Sequence, residues 1–185
     1  MFRAFVLLSD DFLLTMIKKL NIANWIFMKT RTFDITLLFT RLLIAVVIFG
    51  HGAQKLFGWF GGYGFDGTVG YFTTTVGLPY LLAVVIILAE SLGMIALAIG
   101  LFSRFMAGSL IAIMLGAVFI THAQFGFYMN WFGAQQGEGI EYHLLMIGLS
   151  AIVLVNGGGA YAMDAIVKKL LLSLGGSNAV QAAKN

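Results

Sequence analysis

Long apolar stretches dominate the chain, at approximately 35–57, 79–100, 104–122 and 141–157. They are solidly apolar rather than alternating, so the pattern is not that of a membrane β-barrel. A helix needs about 20 mostly apolar residues to cross a hydrocarbon core of roughly 30 Å. The first three stretches reach that length. The fourth is shorter, with Ile140 and Asn156-Gly157 placed to sit at the interfaces. An unpaired backbone group in lipid costs several kcal/mol, which leaves the helix as the spanning form. The pattern predicts an all-α fold: a polytopic membrane four-helix bundle over residues 35–157, one domain without a linker.

The flanks predict short interfacial helices at both termini. In the segment 1–34, Phe2, Phe5, Val6, Phe12, Leu13, Met16, Ile17 and Leu20 fall at i, i+3, i+4 spacing, with Asp10, Asp11 and Lys18 on the other side. Asp10-Asp11 interrupt the apolar stretch too early for a signal peptide. A start at Met28 is the alternative; it would put Met-Lys-Thr-Arg just before the first span and leave 1–27 outside the native protein. In the segment 158–185, Asn156-Gly-Gly-Gly159 breaks the fourth helix and 160–174 resume a short amphipathic pattern.

Composition excludes a soluble enzyme. The 185 residues are 60% hydrophobic and 10% charged, and mean hydropathy is +0.95, against about 25% charged residues in a soluble domain. The chain has no cysteine, hence no disulfide, thiolate metal site or dithiol chemistry of its own. The net charge of +3 follows topology and does not mark a nucleic-acid partner. Lys18, Lys19, Lys29 and Arg31 precede the first span, Arg104 sits in the short 2–3 connection, and Lys168, Lys169 and Lys184 follow the fourth. The loops 58–78 and 123–140 hold no Lys or Arg. Both termini are therefore predicted to be cytoplasmic, in a bacterial plasma (inner) membrane once the resemblance below is taken into account. Small-xxx-small stripes (Gly108, Ala112, Gly116; Ala89, Gly93; Ala96, Gly100) allow close helix packing in lipid and a homo-oligomer face.

A few polar residues stand where lipid should be. Glu90 lies roughly 16 Å along its helix from Pro79, and Arg41 about 9 Å inside the first span, leaving an axial gap of about 8 Å between them. An intramembrane acid costs a few kcal/mol unless paired or protonated, so an Arg41–Glu90 pair is expected, or else an ion, proton or ligand site. A second group collects toward the outer end: His51, Gln54 and Lys55 on span 1, His122 ending span 3, and Glu138, Glu141 and His143 opening span 4. Glu141 and His143 are about 200° apart on an ideal helix and do not both face inward unless the helix begins after Glu141. The candidate ligand-binding set is His51, Gln54, Lys55, Glu90, Arg41, His122, Glu141 and His143. Four chemistries remain open for it: hydrogen bonding to a quinone or carrying protons; a divalent metal held by His51, His122 and His143 with a carboxylate; a haem iron between two histidines; or a polar cap on the helix ends. Glycine- and aromatic-rich outer loops suit a lid over a flat apolar ligand. Gly62-Tyr-Gly64-Phe-Asp-Gly67 spells GxGxxG, but it follows a membrane helix instead of a strand, so the dinucleotide reading is set aside.

Arg41-Leu-Leu, Gly50-His-Gly-Ala-Gln-Lys-Leu-Phe-Gly58, Gly67-Thr68 and Gly77-Leu-Pro79 resemble the DoxX family of small bacterial four-helix membrane proteins. Ala89-Glu90 with Gly93, His122, Glu141-Tyr142, and Gly158-Gly159 with Tyr161 and Asp164 continue the likeness, which covers about 35–165. The resemblance implies a plasma-membrane protein associated with oxidoreductase systems, such as a DoxD-like subunit of a thiosulfate:quinone oxidoreductase or a membrane complex that handles oxidative stress. The expected function is a redox-associated subunit that binds a quinone-like or other apolar ligand near the outer face and works with a redox partner protein. A non-catalytic membrane scaffold or lipid-binding protein is the alternative, and a small proton-coupled transporter the second.

Overall fold

The computed structural model describes residues 2–182, except the side chains of 2–14, 17, 23, 25–27, 29 and 173–182. Among the described residues the chain is helical and contains no strand. Helix α1 covers Phe2–Phe57, α2 Gly64–Gly70, α3 Tyr80–Glu90, α4 Leu92–Ile99, α5 Ser103–Ala117, α6 Glu141–Asn156 and α7 Met163–Ala182. Wider π turns extend α2 through Tyr71–Thr75 and α5 through Val118–His122. The chain divides into two compact units, Met1–Thr36 and Leu37–Asn185.

The first unit is helical, with Met16, Leu20, Ile22, Met28, Phe33 and Ile35 exposed. The hydroxyls of Thr32 and Thr36 donate to the carbonyls four residues back, Met28 and Thr32. Most of the expected amphipathic face, Phe2 to Leu13 and Ile17, lies outside the described side chains.

Among the described residues, three segments are long and apolar enough to cross a bilayer: Thr30–Phe57, Tyr80–Ile99 and Ser103–Phe125. The apolar helix α6 is shorter, about 24 Å at 1.5 Å per residue. Four helical lines share the core of the second unit. Ile44, Ala45 and Ile48 of α1 meet Met94 and Leu97 of α4, Ala107, Leu110 and Met114 of α5, and Met146 and Val153 of α6. The opposite faces carry exposed Leu, Ile, Val and Phe, such as Val46, Leu81, Phe105 and Leu145, which is the side-chain distribution of helices solvated by lipid.

The second span is broken. Pro79 starts α3, and at Ser91 (φ −101, ψ −81) the helix turns before α4 resumes. The Ser91 hydroxyl donates to the Ile87 carbonyl at 2.6 Å, a back-bond that bends helices. The span ends at Gly100 in the left-handed region, with Leu101 N–H on the Ala96 carbonyl and Gly100 N–H on Leu97, a Schellman closure. A Cβ at Gly100 would overlap the Arg41 guanidinium and Ala162, so this position needs glycine for space as well as for φ.

Arg41 completes that end. It is fully buried, and its guanidinium donates to the carbonyls of Leu97 (3.2 Å), Ala98 (3.0 Å) and Tyr161 (3.3 Å). Asp164, the nearby carboxylate, accepts the N–H groups of Phe102 and Ser103, both at 2.8 Å, and thereby caps α5. The expected Arg41–Glu90 pair does not form. Gly52 sits against the Glu90 backbone, so on α1 Arg41 lies about 16 Å below the level of Glu90. That is farther than the side chain spans.

Candidate functional site

Above the core, toward the Phe57 end of α1, the second unit opens into a cavity of about 540 Å³. Ile48, His51 and Lys55 of α1 form one wall, and Ile86 and Glu90 of α3 another. The π-turn end of α5 supplies Gly116, Ala117, Thr121 and His122, and α6 supplies Tyr142 and His143. Tyr71, Phe72, Val76 and Leu78 come from the segment 58–78, Met129 and Glu138 from the segment 123–140. These two aromatic-rich segments thus flank the histidine group. Small residues make the room. Gly116 has nothing within 4 Å of where a Cβ would stand, whereas Gly108, two turns lower, packs on Leu154.

Glu90 defines one end. Its carboxylate pairs with the Lys55 ammonium; the carboxylate side chain is 5% exposed and the lysine 25%. The approach depends on Gly52, since any Cβ there would overlap the Glu90 carbonyl.

A row of rings leads away from this pair. His51 and Tyr142 have centroids 5.8 Å apart, Tyr142 and His143 5.5 Å, and His143 and His122 4.2 Å. His143 is buried, 6% exposed. Its Nδ1 meets no hydrogen-bond partner of good geometry, with the Gly139 carbonyl as its backbone neighbour, and the Tyr142 hydroxyl is likewise buried without a partner. His122 Nδ1 lies 2.8 Å from the Glu138 carbonyl. A carbonyl only accepts, so Nδ1 carries the proton, and the Nε2 of neutral His122 is an acceptor. The Glu138 carboxylate accepts the Asn130 N–H at 2.6 Å. The end of this loop and the start of α6 are tied back to the loop's beginning by Gly139 N–H on the Tyr128 carbonyl, Ile140 on Gly126 and Glu141 on Phe127.

Of the candidate residues, His51, Lys55, Glu90, His122 and His143 line the cavity; Arg41, Gln54 and Glu141 do not. The Gln54 amide points to the Phe60 carbonyl at 3.5 Å. Glu141 turns away from His143, as helix geometry requires, and accepts the Trp131 indole N–H at 3.3 Å. Among the described residues no three His, Cys, Asp or Glu side chains gather closely enough to hold a metal ion. Of the candidate metal set, His122 and His143 are in ring contact, while Tyr142 neighbours both His51 and His143. The His122 and His143 rings are in contact, which leaves no gap for a haem iron between them.

The model of the DoxX family matches residues 36–123. Over that span the chain is of DoxX type. No curated protein and no solved structure matches it. With the family come its apolar spans, and this DoxX protein is a multi-pass integral membrane protein. The matched region carries Arg41, His51, Lys55, Glu90 and His122, while Glu138, Tyr142 and His143 complete the cavity from beyond it. Two features escaped the residue-by-residue reading: Gly52 as the contact point for Glu90, and Tyr142 as the link in the ring row. The Gly-His-Gly sequence at 50–52 held the first signal, and the Glu141-Tyr-His143 order the second.

Proposed function

We propose that this DoxX protein binds a flat, mostly apolar molecule bearing carbonyl or hydroxyl oxygens, a quinone or close analogue, as a redox-associated subunit of a bacterial plasma membrane. In this reading the chain crosses the bilayer four times, α6 included, with both termini in the cytoplasm and the cavity toward the outer face. The observation that carries it is the cavity itself. Its volume of about 540 Å³ falls in the range of roughly 300–1,000 Å³ typical of small-molecule sites. Its walls are apolar and aromatic, with a few convergent polar groups. His51 and Lys55 contact the head group, Glu90 balances the lysine charge, and Ile48, Ile86, Phe72 and Met114 hold the ring and tail. Because the chain has no cysteine, no thiol of its own carries electrons, and these pass through a bound cofactor or a partner protein.

The test is a titration of detergent-purified protein with a short-chain quinone, followed by quenching of tryptophan fluorescence, beside native mass spectrometry and an absorption spectrum of the protein as isolated. Saturable binding that weakens about tenfold in His51→Ala, the loss of roughly one hydrogen bond to a charged or polar head, supports the reading. No binding, together with a co-purified phospholipid in the mass spectrum, replaces it with the lipid-binding scaffold.

A further inference from the structure

The cavity contains more proton-exchanging groups than a head group needs, and they form a line. At one end is the exposed loop, where Glu138 offers its carbonyl to His122. At the other is Glu90, which acts electrostatically on both His51 and Tyr142. Between them His122, His143 and Tyr142 follow one another at ring separations of 4.2 and 5.5 Å. The two inner members carry buried polar atoms: the Tyr142 hydroxyl has no protein partner, and His143 Nδ1 has only the Gly139 carbonyl beside it, short of good hydrogen-bond geometry. Buried polar atoms normally find a partner. Two such atoms in succession beside a cavity are places where water or a ligand oxygen completes a hydrogen-bonded chain.

We propose that His122, His143 and Tyr142 form a proton path from the outer loop to the Glu90–Lys55 pair. The proposal rests on the ligand-binding reading only in taking the cavity as the path's destination. A proton enters at Nε2 of His122, whose Nδ1–H is already committed to Glu138. The resulting imidazolium gives a proton to His143, which gives one onward to the Tyr142 hydroxyl as that group releases its own toward Glu90. Each ring returns to neutrality, and one proton has moved from the outer solution to the Glu90 carboxylate. The neutral acid no longer holds Lys55, so the ammonium is free to turn to a bound oxygen. The groups facing Glu90 are Lys55 and His51 from α1 and Tyr142 from α6. Histidine relays protons because one ring nitrogen accepts while the other donates, and an acid inside a membrane span is a natural terminus for such a chain.

The path is tested on the full chain in lipid nanodiscs by infrared difference spectroscopy. Acidification should produce the carbonyl band of a neutral carboxylic acid that is missing in Glu90→Gln. The rate at which this band shifts after transfer to D₂O reports proton access to Glu90. Tyr142→Phe removes one unpartnered hydroxyl and little packing, and His143→Leu removes the ring before it; each is expected to slow the exchange at least tenfold. Wild-type exchange in both variants, or the absence of any Glu90 band on acidification, overturns the path. Quinone titration of the same samples separates the two ideas: binding with unchanged exchange sinks the path alone, and slowed exchange without binding sinks the ligand reading alone.

Discussion

Replacing Arg41 by methionine keeps most of the side-chain stem and removes the guanidinium. Three carbonyls then lose a donor. Leu97 retains the N–H of Gly100, but Ala98 and Tyr161 lose the guanidinium that donates to them. A buried carbonyl left unpaired costs about 1–3 kcal/mol, so two cost roughly 2–6 kcal/mol. Part of this is offset because the buried cation, itself unpaired at Nε, no longer has to be desolvated. A net loss of about 3 kcal/mol is expected. For a chain of this length that lowers Tm by about 6–12 °C, using the 2–4 °C per kcal/mol typical of 150–250 residues. The assay is thermal unfolding in mild detergent followed by circular dichroism. Arg41→Lys is the discriminating companion. One ammonium on a flexible stem does not reproduce a fork that reaches α4 and the 157–162 turn together, so it should recover less than half the loss. If arginine here merely extended to lipid headgroups, Arg41→Lys would match wild type and Arg41→Met would cost under about 1 kcal/mol. Either result refutes the capping role.

Three further outcomes follow from the same geometry. Gly116→Leu places a side chain where a Cβ meets nothing within 4 Å, so it should keep wild-type Tm while abolishing quinone binding; retained binding would remove the cavity from the function. Gly52→Ala forces α1 away from the Glu90 backbone and should destabilise by about 1–3 kcal/mol, seen in the same melts. Asp164→Ala removes two N–H acceptors at the start of α5 and should cost about 0.5–2 kcal/mol, with the quinone titration unchanged in the folded protein.

Hydrophobic runs announced the membrane helices because their length alone meets the thickness of a bilayer. The break at Asn156-Gly157 was visible because glycine runs end helices. The partner of Glu90 was not legible, and the reason is geometric. Measuring depth from Phe57 and from Pro79 assumed that both span ends lie at one level. Gly52 sets the true level of Glu90, about 8 Å below Phe57 on α1 and about 16 Å below Pro79 on α3. The α3 end therefore stands roughly 9 Å beyond the α1 end, and every cross-helix distance inferred from a common rim shifts by that amount. Lys55 comes within reach and Arg41 goes out of it. The three histidines line one cavity, but their order along a line depends on helix rotation, which a spacing rule on separate helices does not supply. Tyr142 was visible only as part of a family likeness, since a tyrosine at a helix start is ordinary interfacial chemistry.

The interruption at Ser91 divides one membrane crossing into two rods with separate duties. The lower rod is locked among Ile44, Ala107 and Val153 through Met94 and Leu97, while the upper one borders the empty volume through Ile86 and Glu90. The upper rod is packed too, with Ala83 and Ile87 fully buried and its end at Glu90 pressed against Gly52, so the bend at Ser91 lets one crossing serve the core and the chamber wall at two different inclinations.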